Sequence, residues 1–274
     1  YKDYKAPDII VMAMSGYMYL CGDPYLAPVC FSVPQAYLHA SAAAAVGTMI
    51  AHWHREVAGE GQYVDSSAQE SLTWPLVDAL GFWELNNMVV KREGAFRLRP
   101  ATNTLHRHIW RCKDGYVAFQ VFGGPLGARR FMKPITKWME SEGMAPAFMK
   151  ELNWEQLDLS TITQDVLDKV SGPISRFFMT HTKTELYEGV AKWSIVLFPL
   201  GTPEAWLISP QLAARSFWAE VKHPEIGETI IYPGPPIKCS ETFYGIHSRA
   251  PLIGEHNEDV YVKKLGLSKE EILA

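Results

Sequence analysis

The sequence predicts a mixed α/β protein, on three observations. A run of small apolar residues over 38–56 has the length and the polar closure of a long helix. Residues 107–111 and 115–121 alternate and carry aromatics around Lys113-Asp114-Gly115, which reads as a β-hairpin. Helical patterns then occupy 126–142, 164–179 and 184–192 before a strand pattern at 228–232.

In chain order, residues 8–19 predict an amphipathic helix ending in a glycine-bearing turn, and Cys21-Gly22-Asp23-Pro24 a loop. In the 38–56 helix, Ala40, Ala42–Ala45 and Gly47 leave room for close approach of another backbone or a ligand. The stretch reads as a buried helix of a soluble protein, because His52, His54 and Arg55 close it. Those residues complement the dipole at a helix C-terminus. The turn Gly59-Glu60-Gly61 is expected to feed a short strand at 62–64. Asp65 or Ser66 is placed to cap a helix over 67–86, kinked or broken at Pro75. Residues 87–104 read as an irregular basic linker, with Lys91, Arg92, Arg97 and Arg99 before Pro100. Further on, the 164–179 helix is expected to break at Gly172-Pro173, 210–222 to be helical, and a final amphipathic helix to follow Asn257.

With 274 residues, 47% hydrophobic and 20% charged, the chain can bury one large or two modest cores. Its net charge of -4 and the lack of a basic cluster argue against a nucleic-acid partner. Cys21, Cys30, Cys112 and Cys239 have no metal-ligand spacing and read as reduced structural thiols, so no metal is expected. No apolar run is long enough to span a bilayer and nothing at the start resembles a signal peptide, so a cytoplasmic protein without a membrane partner is expected. The opening Tyr1-Lys2-Asp3-Tyr4-Lys5 lacks an initiator methionine and a cap, as in a processed or cloned piece or a chain whose first part is missing.

Two segments carry a resemblance: Phe31-Ser32-Val33-Pro34-Gln35-Ala36-Tyr37-Leu38-His39-Ala40-Ser41, and the helix end His54-Arg55-Glu56-Val57-Ala58-Gly59-Glu60-Gly61-Gln62-Tyr63-Val64-Asp65. Together they resemble the active-site stretch of the class III CoA-transferases, the family of formyl-CoA transferase, carnitine CoA-transferase and alpha-methylacyl-CoA racemase. Weaker motifs follow in the family's order: the segment 8–16, Thr182–Tyr187, Pro210–Arg215, His223-Pro224 with Gly227, Ile253–His256 and Leu265–Ser268. The resemblance implies part of a large α/β domain at 1–86, a linker at 87–104, a small α/β domain at 105–215 and a C-terminal return to the large domain at 216–274. It also implies an interlocked dimer, and that the family's nucleotide-binding N-terminal half is missing from this sequence.

The family's nucleophile is an aspartate at the start of the 38–56 helix; counting back from His54, that position holds Tyr37. A carboxylate suits the reaction because its acyl anhydride is as energetic as the thioester it replaces. A tyrosyl ester is a thermodynamic sink, and a phenol with a pKa of about 10 is mostly protonated at neutral pH. No Asp or Glu lies between Asp23 and Glu56, so a small register shift cannot supply one. In the racemase branch a histidine just before the position of Asp8 shuttles the proton; here that residue is Pro7. Tyr37 is thus either a space-filling residue or a hydrogen-bond donor to a bound acyl or carboxylate group.

The resemblance places the family's anhydride-shielding glycine loop at 94–103, where this chain has Arg97, Arg99, Thr102 and Asn103. Those four, with Ser15, Gly16 and His39, are the candidate substrate- or CoA-binding residues. Gly123-Gly124-Pro125-Leu126-Gly127, before Arg129 and Arg130, reads as a phosphate loop or as a plain strand-to-helix turn, which adds Gly123 and Gly124 as candidates. The implied function is the non-nucleophilic subunit of a two-subunit member, such as those that act on benzylsuccinate, paired with a sibling that keeps the aspartate. Acyl-CoA and a carboxylic acid are its ligands, with coenzyme A as substrate and no bound cofactor. The alternatives are an acyl-CoA isomerase or lyase using Tyr37 as donor or acid, and an acyl-CoA-binding protein without turnover.

Overall fold

The computed structural model describes residues 3–241 and 244–273. It divides into two compact units, Tyr1–Leu200 and Gly201–Ala274.

The first unit opens with α1 (Asp8–Met14), which buries Val11 and Met12. The long helix α2 (Ala36–Ala58) follows and ends where Gly59 turns left-handed at φ 79°, its N–H donating to the Arg55 carbonyl. Residues 62–64 are not a strand, since no strand among the described residues pairs with them. Ser67, not Asp65 or Ser66, caps α3 (Ala68–Thr73), its Oγ accepting from the Glu70 N–H. Pro75 then sits in a 3-10 turn, Trp74–Leu76, which separates α3 from α4 (Val77–Asn86), so the break expected there is present.

The supposedly irregular segment 87–104 carries β1 (Phe96–Arg99), which pairs antiparallel with β2 (Thr104–Arg107). The composition had hidden this strand, because its arginines flank apolar residues in a short ladder. β3 (Ile109–Cys112) and β4 (Gly115–Ala118) form the expected hairpin with Cys112 opposite Gly115. Next comes α5 (Gly124–Gly127), a wide π-type turn at Ala128–Met132, and α6 (Lys133–Ser141). Pro134 has no N–H for the Arg130 carbonyl; that carbonyl accepts instead from Val196 N–H at 2.9 Å.

After α7 (Ala147–Glu151), α8 (Gln164–Thr180) runs unbroken through Gly172-Pro173. The expected break fails because the helix buries Leu167, Val170, Ile174, Phe177 and Phe178 on one face. At about 1.5–3 kcal/mol each, that burial outweighs the roughly 4 kcal/mol cost of a glycine plus a proline. α9 (Lys183–Trp193) starts on a capping box between Thr182 and Glu185 and leads to β5 (Phe198–Pro199), which extends the β3–β4 sheet. Trp110 packs edge-on against Phe119 and Phe178 at the centre of this core.

The second unit holds α10 (Pro203–Leu207), α11 (Pro210–Ala214) and a hairpin of β6 (Trp218–His223) with β7 (Glu228–Pro233). The helix expected over 210–222 therefore stops early. Ser216 takes φ 49°, and from Trp218 the chain pairs with β7 across six residues of register. After Asn257, a π-type turn at Glu258–Lys264 precedes the final helix, α12 (Lys269–Leu273). All four cysteines are free, and no helix among the described residues is long and apolar enough to cross a membrane.

Candidate active site

The start of α2 is built by two segments far apart in sequence. Gln35, its N-cap, makes no side-chain cap. Asp8, in the first turn of α1, supplies one: its Oδ2 accepts from Gln35 N–H at 3.2 Å and its Oδ1 from Tyr37 N–H at 3.1 Å. An anion at this point also complements the positive end of the helix dipole. The Tyr37 hydroxyl turns away from the helix and donates to the Ala6 carbonyl at 2.8 Å, with the ring half exposed. The phenol proton is therefore already engaged, and so are lone pairs on both oxygens of the nearest carboxylate. Reading along the chain missed Asp8 because only the fold brings it to Tyr37; its place one residue after Pro7, opening a helix, was the available signal.

Around this junction, Ser15 is buried and self-contained. Its Oγ donates to Met12 O and accepts from Tyr17 N, and its carbonyl accepts from Thr73 Oγ1. Gly16 sits at φ 85° in the turn that ends α1, a conformation that side chains resist. His39 is half-buried and lies 6.4 Å, ring to ring, from Tyr17, which in turn packs on Phe31. Ser15, Gly16, Tyr37 and His39 thus gather where α1 meets α2.

Arg97, Arg99, Thr102 and Asn103 fall elsewhere, on and after β1. Arg97 and Arg99 line a cleft of ≈ 440 Å³ between that strand and α4, together with Phe82, His106, His108 and Gln120. Arg97 reaches Asp78 on α4 at 3.8 Å. Thr102, Thr104 and His106 form a hydrogen-bonded chain (Oγ1 to Oγ1 2.7 Å, Oγ1 to Nε2 3.1 Å). Asn103 is exposed at φ 52° in the turn between β1 and β2. Burial first, then the Arg99 charge, holds the His106 imidazole below its ordinary 6.5, against a hydrogen bond to the Val121 backbone. Burial, then Arg97 and His106, does the same for His108. The sequence reading did not single out either histidine, although their spacing at 106 and 108 puts them on one face of a strand region.

Gly123 and Gly124 lie at the entry to α5. A Cβ on Gly123 would overlap the Leu157 carbonyl, and Gly124 takes φ 74°. Packing and backbone conformation each account for a glycine there. The cleft beside them is also lined by Glu155 and Asp158.

The CoA-transferase family III model matches residues 1–257. Succinyl-CoA:(R)-benzylsuccinate CoA-transferase subunit BbsE of Thauera aromatica is 31% identical, over 95% of this chain and 61% of that one. The succinyl-CoA–L-malate CoA-transferase beta subunit of Chloroflexus aurantiacus is 26% identical, over 99% of this chain and 64% of its own length. The crystal structure of a CAIB/BAIF family protein from Brucella suis superposes with a TM-score of 0.75 at 18% identity, covering 96% of this chain and 64% of that one. The chain thus spans a little under two thirds of the relatives it matches.

Proposed function

The chain belongs to CoA-transferase family III, and we propose that it serves there as the subunit that lacks the nucleophile, paired with a sibling that carries the aspartate. One observation carries this reading. At the first turn of α2, where the family resemblance puts the attacking carboxylate, stands Tyr37, its hydroxyl tied to Ala6 and the nearest carboxylate, Asp8, tied to backbone amides. In the transfer, the sibling's aspartate attacks the acyl thioester carbonyl, a mixed anhydride forms, and CoA leaves as thiolate before the acceptor acid takes its turn. This chain contributes structure and substrate contacts. Two relatives are named as subunits, which supports a two-chain enzyme, and succinyl-CoA, in the names of both, is the first donor to try. The interlocked dimer, the return of residues 216–274 to the large domain and a cytoplasmic location belong to the same proposal.

The test is reconstitution. The chain alone should be inactive with succinyl-CoA and a panel of carboxylic acids, and active once the sibling from the same source is added. A stable homodimer of this chain with full transferase activity and no sibling ends the proposal.

A further inference from the structure

The cleft between β1 and α4 has the donor set of a carboxylate receptor, and the tautomer of His108 is what makes it one. The Gln120 side-chain amide lies 3.1 Å from His108 Nδ1 through its Nε2, an atom that can only donate. Nδ1 is therefore the acceptor, and in the neutral ring the proton sits on Nε2. No partner for that Nε2–H exists among the described residues, and His108 lines the cleft. Arg99 lines the same cleft; its backbone carbonyl accepts from Thr102 N–H, but its guanidinium makes no ion pair or hydrogen bond among the described residues. Asp158, whose charge is near enough to feel Arg99, is held by Ser160 through both its carboxylate oxygens. Arg97 adds a second cation, loosely opposed by Asp78.

The wall behind these donors is fixed. His106 is 8% exposed and Thr104 3%, and the Thr102–Thr104–His106 chain with the β1–β2 ladder holds the arginine-bearing strand in register. Phe82 and Phe122 supply an apolar flank. A planar guanidinium, a neutral N–H donor and an apolar flank together suit a carboxylate on a short carbon chain.

We propose that this cleft binds the free carboxylate of a dicarboxylic acid or of its acyl-CoA half-thioester, with Arg99 and the His108 Nε2–H as its direct partners and Arg97 at the rim. The inference rests on the transferase reading for its substrate class and narrows that class to dicarboxylates.

Calorimetric titration of the full chain with succinate, propionate and inorganic phosphate tests it, alongside histidine side-chain nitrogen NMR. Succinate should bind, shift the His108 Nε2 resonance and outcompete both other probes. Arg99→Ala and His108→Ala should each weaken succinate about tenfold or more, the scale of a lost hydrogen bond to a charged group. Arg99→Lys should recover only part of the loss. Absence of succinate binding overturns the proposal, as does binding unchanged in Arg99→Ala with an intact circular dichroism spectrum. Tighter binding of phosphate than of succinate overturns the carboxylate assignment. Binding needs no turnover, so its failure is separable from that of the subunit proposal: a self-sufficient homodimer would end the latter and leave this site standing.

Discussion

Between Trp110 and Leu197 most of the large apolar side chains lie inside; between Ala36 and Asn86 most of them lie outside. In the first region Trp110, Phe119, Phe177, Phe178 and Ile174 are at 2% exposure or less. In the second, Trp53 is 72% exposed, Trp74 79% and Leu85 83%, and within α2 only Ala36 is buried. Both regions have ordinary helix-forming sequences, so the contrast is one of partners rather than propensity. The 110–197 region contains both sides of its own core. On α2 and α4 the exposed large apolar side chains are many rather than single, which is unusual for a surface left open to water. Under the proposed function the occupant is the sibling subunit.

The sharpest way to break the comparison is to remove a ring from each region. Phe178→Ala should cost about 3–5 kcal/mol, read as a lower urea midpoint, because the cavity it leaves is lined by Trp110 and Phe119. A loss below about 1 kcal/mol would show that this core is not the chain's stable centre. Adding volume is the complementary test. A Cβ at Gly189 overlaps the Trp138 indole, itself stacked on Trp193, so Gly189→Ala should cost roughly 1–3 kcal/mol in the same assay.

Asp8→Ala tests the junction of α1 and α2. Loss of a cap accepted from two backbone amides should cost about 1 kcal/mol, and amide exchange should quicken in the first turn of α2 while α8 is unchanged. Equal quickening in both would show that the two regions unfold as one.

Acid should act through the wall between them. The folded-state pKa values of His106 and His108 lie below the ordinary 6.5. As pH falls through that value the unfolded chain takes up protons and the folded one does not, so stability declines until the lowered folded pKa values are passed, then levels. Replacing both histidines by glutamine should flatten the dependence of the urea midpoint over this window; an unchanged slope would place the acid sensitivity elsewhere.

The smallest effect on stability is expected at Trp53. Trp53→Ser should change it by less than about 0.5 kcal/mol, as for a surface position, while weakening association with the sibling in a pull-down. A large stability loss instead would mean that α2 is covered by this chain itself.

The same contrast explains what the sequence could disclose. The β3–β4 hairpin and α9 were legible because a Lys-Asp-Gly turn and the helical pattern over 184–192 are local signals. The continuity of α8 through Gly172-Pro173 was not, since burial against β3 overrides a local breaker. The burial expected for α2 failed for the converse reason: small apolar residues say that a helix is meant to be covered, and not by what. At the start of α2, Tyr37 was singled out by counting along one helix, whereas its contact with Asp8 and the contact of Gln120 with His108 depend on neighbours that only the fold brings near.

The central claim is that the acyl group is never carried by this chain. Peptide mass spectrometry after succinyl-CoA and a hydroxylamine quench, on the reconstituted pair, tests it directly. The account predicts a hydroxamate on an aspartate of the sibling and none on this chain, with the same result in Tyr37→Phe. A hydroxamate on Asp8 or on any other carboxylate of this chain would contradict it, as would an acyl-tyrosine at Tyr37 in a parallel sample left without hydroxylamine, which cleaves tyrosyl esters.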